Sequence, residues 1–231
     1  MRVQPHGVDS ILHVVKRGAR GLDIVRDDAD RYDFTKLLFY INDSHEVDHW
    51  RRDVAALTHL EWPPHWPEQK PLTRILAWTL MPNHFHLILQ QITEGGIAKF
   101  MQRLCGSMSV CYNLKYDGTG SIFQGGYKGR VVEADADLRY LTSYVLAKNV
   151  LELHPKGLVH AARTFETSWQ WALGYPFSSL RTVALNEHSP IVEHSLLMEL
   201  FASAEYFKED SRDMVLSHVE KKAYDTDLML E

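Results

Sequence analysis

Two histidines separated by one hydrophobic residue, His84 and His86, are the side chains of this sequence best suited to chemistry. They lie in an apolar run over residues 78–89 that is typical of a β-strand. Because successive strand side chains point to opposite faces, both imidazoles project from one face and Phe85 turns into the core. Two imidazoles so placed can ligate one divalent metal ion. The alternative is a pair of surface histidines on a half-buried strand.

A two-histidine site needs a third polar ligand, and a hydrolytic or transfer reaction needs a nucleophile. A helix predicted over residues 134–151 offers Tyr140 and Tyr144 as nucleophiles, followed by Lys148 and Asn149. Tyr144 and Lys148 are four residues apart and share a helix face, whereas Asn149 lies about 100° further round. A free tyrosine hydroxyl is a weak nucleophile, but a bound metal or a nearby cation such as Lys148 makes its attack on phosphorus feasible. A single tyrosine is also common as a core or rim aromatic.

The elements that must position these residues follow from hydrophobic periodicity and turn signals. Strands are predicted over residues 11–17, 22–25, 73–81, 84–91 and 127–132, with a tight hairpin at Pro82-Asn83. Helices are predicted from Asp27 or Asp28, for about twenty residues after Gly96, and over 134–151, 193–203 and 204–223. Residues 44–71 are predicted to be an irregular excursion with one short helix. Hairpins in place of regular βαβ crossovers predict an α+β fold, with helices packed on an antiparallel sheet.

Composition limits the classes of function. The chain has 231 residues, 45% of them hydrophobic, and a net charge of −5, but residues 1–26 and 95–156 each carry +3. These local basic segments are compatible with phosphate binding. No run of 18 apolar residues and no signal peptide is present, which predicts a cytoplasmic protein without a membrane partner. Cys105 and Cys111 are expected to be reduced thiols.

Several segments, in order over about residues 9–180, resemble the REP-associated tyrosine transposases of the single-tyrosine HUH transposase superfamily. The most specific are Met81-Pro82-Asn83-His84-Phe85-His86-Leu87-Ile88 and, about 35 residues later, Gly120-Ser121-Ile122-Phe123-Gln124-Gly125-Gly126. The others are His13-Val14-Val15-Lys16-Arg17-Gly18, Asp27-Asp28-Ala29-Asp30, Tyr144-Val145-Leu146-Ala147-Lys148-Asn149-Val150 and Tyr175-Pro176-Phe177-Ser178-Ser179.

The resemblance implies a ferredoxin-like HUH nuclease domain over residues 1–185, followed by an acidic helical extension over 186–231. It implies that His84 and His86 ligate Mg²⁺ or Mn²⁺. Tyr144 would attack a phosphodiester of single-stranded DNA, giving a 5′-phosphotyrosine link and a free 3′-hydroxyl. The implied partner is DNA with hairpin-forming repeats, and the implied process is DNA transposition by a monomer or a homodimer.

One position departs from the family pattern. Relatives usually carry asparagine or glutamine four residues after the tyrosine, near the metal, where this chain has Lys148. A cation there would repel the metal. Either a local helix irregularity rotates Asn149 inward as the third ligand, or Lys148 stabilises the phenolate or a phosphate oxygen.

The residues expected to bind DNA fall into two groups. Arg17, Arg20, Lys128 and Arg130 would hold phosphates, and Phe123 and Tyr127 would stack on bases. The alternatives are solvated charges and core aromatics.

Two other functions fit the same residues. A catalytically inactive DNA- or RNA-binding protein derived from a transposase would explain a lysine near the metal position. A metallohydrolase of small phosphoesters would use the histidines and leave Tyr144 structural.

Overall fold

The computed structural model describes residues 7–45 and 50–228, with side chains as far as residue 221. In chain order the elements are β1 (Ile11–Arg17), α1 (Asp28–Tyr40), α2 (Trp50–Asp53), β2 (Thr73–Leu80), β3 (His84–Gln91), α3 (Gly96–Tyr116), β4 (Lys128–Val132), α4 (Asp135–Ser143), α5 (Asn149–Glu152), α6 (Gly157–Arg163), α7 (Phe165–Leu173), α8 (Leu180–Leu185), α9 (Ser195–Phe201) and α10 (Ala204–Leu228). The four strands form one antiparallel sheet in the order β2-β3-β1-β4. The predicted α+β class is confirmed.

The sheet separates two hydrophobic cores, because alternate strand residues face opposite sides. One core joins Leu12, Val14, Phe85 and Leu87 to apolar side chains of α1 and α3. The other joins Ile88 and its β2 neighbours to helices α4 to α10. His84 and His86 are an even number of residues from Ile88 on β3, so they face the same side of the sheet as Ile88. That side is covered by helices α4 to α10.

Loop chemistry determines the entry to α1. Asp27 caps the helix in a reciprocal capping box with Asp30, as expected of an acidic start.

The strand predicted over residues 22–25 is wrong. A 3₁₀ turn at Ala19–Gly21 precedes that segment, and Ile24 instead donates its backbone N–H to the carbonyl of Pro82 while its side chain fills the core.

The excursion over residues 44–71 is irregular in its described part, apart from α2, and residues 46–49 lie outside the described residues. Aromatic rings hold it on the body: Trp50 stacks on Tyr40 at 6.2 Å, and Trp66 meets Tyr40 edge-on at 5.8 Å. This packing lets a polar, proline-rich segment remain ordered without sheet hydrogen bonds.

The helix predicted over residues 134–151 is not continuous. A single π-helical turn, Tyr144–Lys148, separates α4 from α5, and the N–H of Asn149 donates to the carbonyl of Tyr144. Helices α6, α7 and α8 were not predicted from the sequence.

The C-terminal helices share the second core, where α9 and α10 bury Leu197, Phe201, Phe207 and Val215. The predicted domain boundary at residues 185/186 stays a prediction. No helix in the described ranges is long and apolar enough to cross a membrane.

Candidate functional site

The imidazoles of His84 and His86 lie side by side on the sheet, with ring centroids 5.0 Å apart. His84 Nδ1 lies 2.6 Å from Asn83 Oδ1, whose amide nitrogen donates to the carbonyl of Gly21. Because Asn83 Oδ1 can only accept, His84 carries its proton on Nδ1 and keeps the Nε2 lone pair free. On His86, Nδ1 lies 2.9 Å from His13 Nε2.

Burial keeps these imidazoles neutral. Desolvation lowers the pKa of His13 and of His84 to about 4, with Arg130 and Arg17 respectively as the next causes. Desolvation, followed by the neighbouring histidines, holds the pKa of His86 well below its usual value. Neutral imidazole is the form that ligates a metal.

Tyr144 lies on the same side of the sheet as the two histidines. Its ring meets His86 edge-on at 5.9 Å and His13 at 6.4 Å, and stacks with Tyr140 at 6.4 Å. His218 of the C-terminal helix α10 also contacts the Tyr144 ring edge-on, with centroids 6.2 Å apart. Tyr140 is half exposed and has no contact with the histidine pair among the described ring contacts, so of the two candidate tyrosines Tyr144 is the one next to the histidines.

The π turn that carries Tyr144 is tied to the sheet. Thr79, opposite His86 on β2, donates its hydroxyl to the carbonyl of Val145 over 2.7 Å. Thr79 and Val145 are both fully buried, so this bond holds the backbone next to Tyr144 at a fixed distance from the sheet that carries the histidines.

The π turn alters the positions of the next two polar residues. Lys148 is buried, with Nζ 5.0 Å from the centre of the Tyr144 ring and 2.6 Å from Glu152 Oε2. Asn149 is also buried, and its Nδ2 is the one buried side-chain polar atom of the described residues that lacks a hydrogen-bond partner. A π turn inserts one extra residue per turn, the kind of helix irregularity that would bring Asn149 inward.

The side chains near Tyr144 supply only some of the ligands that a divalent cation needs. Within the described residues no group of three His, Cys, Asp or Glu side chains could hold a metal ion. Two free imidazole nitrogens are nevertheless present, together with the buried amide of Asn149, whose nitrogen has no hydrogen-bond partner, and the charge of Lys148 is balanced by Glu152. Water and substrate oxygens complete the shell in sites of this kind. These residues therefore fit the implied metal.

Basic side chains share the histidine face. Cross-strand partners project to the same side of a sheet, and the register pairs Arg17 with His84, and His13 with Arg130. Lys128 lies across β1 from His86 by the same rule and is exposed.

The four expected phosphate-binding residues differ in availability. Arg17, Arg20 and Lys128 are exposed, with Arg20 in the 3₁₀ turn at a positive φ of 58°. Arg130 is ion-paired with Asp137 of α4 at 2.6 Å, so a phosphate would have to compete with that carboxylate.

Phe123 is not available for base stacking, which corrects the expectation from the sequence. Its ring is buried against Phe85, and the ammonium of Lys16 lies 5.3 Å from its centre. The glycine loop follows the end of β1 through a bridge between Gly18 and Phe123, which pulls the ring into the core. Tyr127 is half-buried, and burial raises its pKa.

Three residues that had no predicted role at the site are brought there by the structure: His13, Glu152 and His218. Alternation along β1 could have placed His13 on the histidine face once the β1–β3 register was known. Glu152 has a local signal, its i, i+4 spacing from Lys148. No signal in the sequence brings α10, and with it His218, to Tyr144.

Comparison with known proteins gives one family match. The model of a family described as "Transposase IS200 like" matches residues 68–148, from just before β2 to the end of the π turn. A solved structure described as the REP-associated tyrosine transposase bound to a REP hairpin is similar at 14% identity and a TM-score of 0.39, covering 84% of this chain and 96% of that one. No curated protein matches the chain. The resemblance predicted from the sequence is thus confirmed for residues 68–148, which match the IS200-like transposases and include His84, His86, Tyr144 and Lys148.

Proposed function

We propose that this protein is a metal-dependent endonuclease and strand transferase of single-stranded DNA that acts in transposition on hairpin-forming repeat ends. The observation that carries the proposal is the position of Tyr144, whose ring lies 5.9 Å from His86 and beneath a buried lysine. The family match supplies the reaction class, and the hairpin comes from the family resemblance.

The chemistry balances as a transesterification. The Tyr144 oxygen forms a bond to phosphorus, and the bond from phosphorus to the 3′ oxygen breaks. The phenol loses its proton, the departing 3′ oxygen gains one, and the phosphate stays joined to the 5′ side as a phosphotyrosine. Because one phosphodiester replaces another, the reverse attack by a 3′-hydroxyl can rejoin strands without a nucleotide cofactor.

His84 and His86, through Nε2, and Asn149 would hold Mg²⁺ or Mn²⁺, which when bound would polarise the scissile phosphate. Lys148, whose ammonium is 5.0 Å from the centre of the Tyr144 ring, would stabilise the negative charge that develops on the phenolate. Glu152 holds that ammonium over the ring. Lys148 therefore has a role in the chemistry, and Asn149 takes the ligand position.

The DNA strand would approach along the β1–β4 side of the histidine face. Arg17 and Lys128 project there and are exposed, and Arg20 lies in the adjoining turn. Phosphate contacts of this kind position a strand without reading its sequence. Tyr127 is the remaining candidate for stacking on a base.

The test is covalent capture. The protein is incubated with Mn²⁺ and a labelled pool of single strands that carry a fixed hairpin followed by randomised bases, and adducts are resolved on a denaturing gel. We expect an adduct with the wild-type protein and with Tyr140→Phe, and none with Tyr144→Phe or His84→Ala. Tyr140→Phe is the matched control because its ring stacks on that of Tyr144.

Two outcomes would replace the proposal. Hairpin binding without any adduct, in a wild-type protein supplied with metal, would identify a binding protein that has lost catalysis. Turnover of a small aryl phosphodiester that survives Tyr144→Phe, again without an adduct, would identify a metallohydrolase.

A further inference from the structure

His13 and His86 form a hydrogen-bonded imidazole pair on the sheet. His13 lies on β1 directly between Ile88 and Arg130, and His86 is its diagonal neighbour on the same face. The two rings are nearly parallel, with an interplanar angle of 12° and centroids 5.2 Å apart, and Nε2 of His13 lies 2.9 Å from Nδ1 of His86.

We propose that His13 is a positioning residue that sets the tautomer and ring orientation of His86 for metal binding. The inference rests on the proposed function, because it assigns His13 a role toward the metal ligand His86.

The argument is one of proton placement. A metal bound at His86 Nε2 needs the lone pair of that atom, so the ring proton must be on Nδ1. The only described partner of His86 Nδ1 is His13 Nε2, which must then accept. His13 consequently carries its own proton on Nδ1, and one hydrogen joins the two rings.

His84 provides an internal comparison. Its Nδ1 proton is held by the amide oxygen of Asn83, whose orientation is fixed by the bond from its nitrogen to Gly21. The two candidate ligands are therefore oriented alike, one by a side-chain amide and one by an imidazole. Partners of this kind commonly change metal affinity by about 10- to 100-fold when removed.

The ring of His13 is well held for this task. It lies on β1, an inner strand of the sheet between β3 and β4, and meets the Tyr144 ring edge-on at 6.4 Å. A ring packed between two strands and an aromatic side chain has few alternative rotamers, so the hydrogen bond orients His86 instead of adapting to it.

The first experiment reads the tautomer directly. Two-bond ¹H–¹⁵N correlations of ¹⁵N-histidine-labelled wild-type protein, without metal, are expected to show His86 and His13 both protonated on Nδ1. A proton on Nε2 of His86 would overturn the inference. This reading does not depend on DNA or on catalysis.

The second experiment measures Mn²⁺ binding by isothermal titration calorimetry. His13→Leu is expected to weaken Mn²⁺ binding by about 10- to 100-fold, whereas His13→Gln, whose amide oxygen can accept in place of Nε2, should keep affinity within about threefold. His65→Leu, an exposed histidine of the excursion, is the control and should bind like the wild type. Thermal unfolding with a chelator present checks that each variant is folded.

The outcomes separate the two claims. Unchanged Mn²⁺ affinity in a folded His13→Leu protein, with a wild-type protein that forms the Tyr144 adduct, overturns the role of His13 alone. Equal loss in the leucine and glutamine variants also overturns it, because packing and not hydrogen bonding would then explain the effect. A wild-type protein that neither binds Mn²⁺ nor forms the adduct overturns the proposed function and this inference with it.

Discussion

Replacing Lys148 with methionine removes the ammonium beside Tyr144, the proposed nucleophile, and keeps the length of the side chain. Lys148 Nζ lies 5.0 Å from the centre of the Tyr144 ring, and its side chain is 8% exposed. We expect Lys148→Met to slow adduct formation at saturating Mn²⁺ while tightening Mn²⁺ binding. The first effect follows from lost stabilisation of phenolate charge, the second from removal of a cation near the metal position.

The magnitude follows from Coulomb's law. The negative charge of a phenolate is shared between its oxygen and its ring, and the ammonium lies 5.0 Å from the ring centre. Two unit charges separated by about 5 Å interact by about 3 kcal/mol at an effective dielectric constant of about 20, which is an upper limit for this pair. That energy corresponds to roughly 100-fold in rate. Glu152, 2.6 Å from the ammonium, offsets part of it, so the expected loss is between about 10- and 100-fold.

The assay is single-turnover adduct formation on a labelled hairpin strand, with Mn²⁺ affinity measured separately. Lys156→Met, an exposed lysine eight residues further along the chain, is the matched control and should change neither quantity. A faster reaction in Lys148→Met at saturating metal would refute the reasoning. It would mean that the lysine obstructs the site, as expected of a transposase descendant that has lost activity.

The remaining predictions concern the backbone and the buried amide. Asn149→Leu removes a buried amide whose Nδ2 has no partner, so the free energy of unfolding, measured by urea titration in chelator, should rise by about 1 kcal/mol. The stabilisation that Mn²⁺ gives the wild-type protein should be lost, and a variant still stabilised by Mn²⁺ would exclude Asn149 as a ligand. Thr79→Val removes the hydrogen bond to the Val145 carbonyl and should lower the free energy of unfolding by about 1–2 kcal/mol. It should also slow adduct formation, and an unchanged rate would show that this hydrogen bond does not position Tyr144. Gly96→Ala places a Cβ in steric conflict with the backbone oxygen of Leu72 and should lower the melting temperature. Gly106→Ala, in open space on the same helix, should raise the unfolding free energy by about 0.5–1 kcal/mol, and the opposite order would contradict the α3 packing.

Local patterns were sufficient for the framework of the site. Strand alternation requires His84 and His86 to share a face whatever the rest of the chain does, because the period of a strand is two. The hairpin at Pro82-Asn83, the start of α1 at Asp27 or Asp28 and the long helix after Gly96 depend on neighbouring residues, and all three are found where they were predicted. The sequence also identified Lys148 as the position that needs explanation.

Long-range packing decided the rest. The π turn forms over a segment with ordinary helical sequence, where Thr79, 66 residues away, binds the carbonyl of Val145. Helix propensity could not predict it, and only the position of Asn149, one residue later than in the family pattern, suggested an irregularity there. The burial of Phe123 depends on the glycine loop following β1. The pairing of His13 with His86 depends on a β1–β3 register joining residues 73 apart. Sequence spacing defines which side chains share a face of one helix or strand. Which helices and strands contact each other depends on the small difference in free energy between the folded and unfolded chain, to which the whole core contributes.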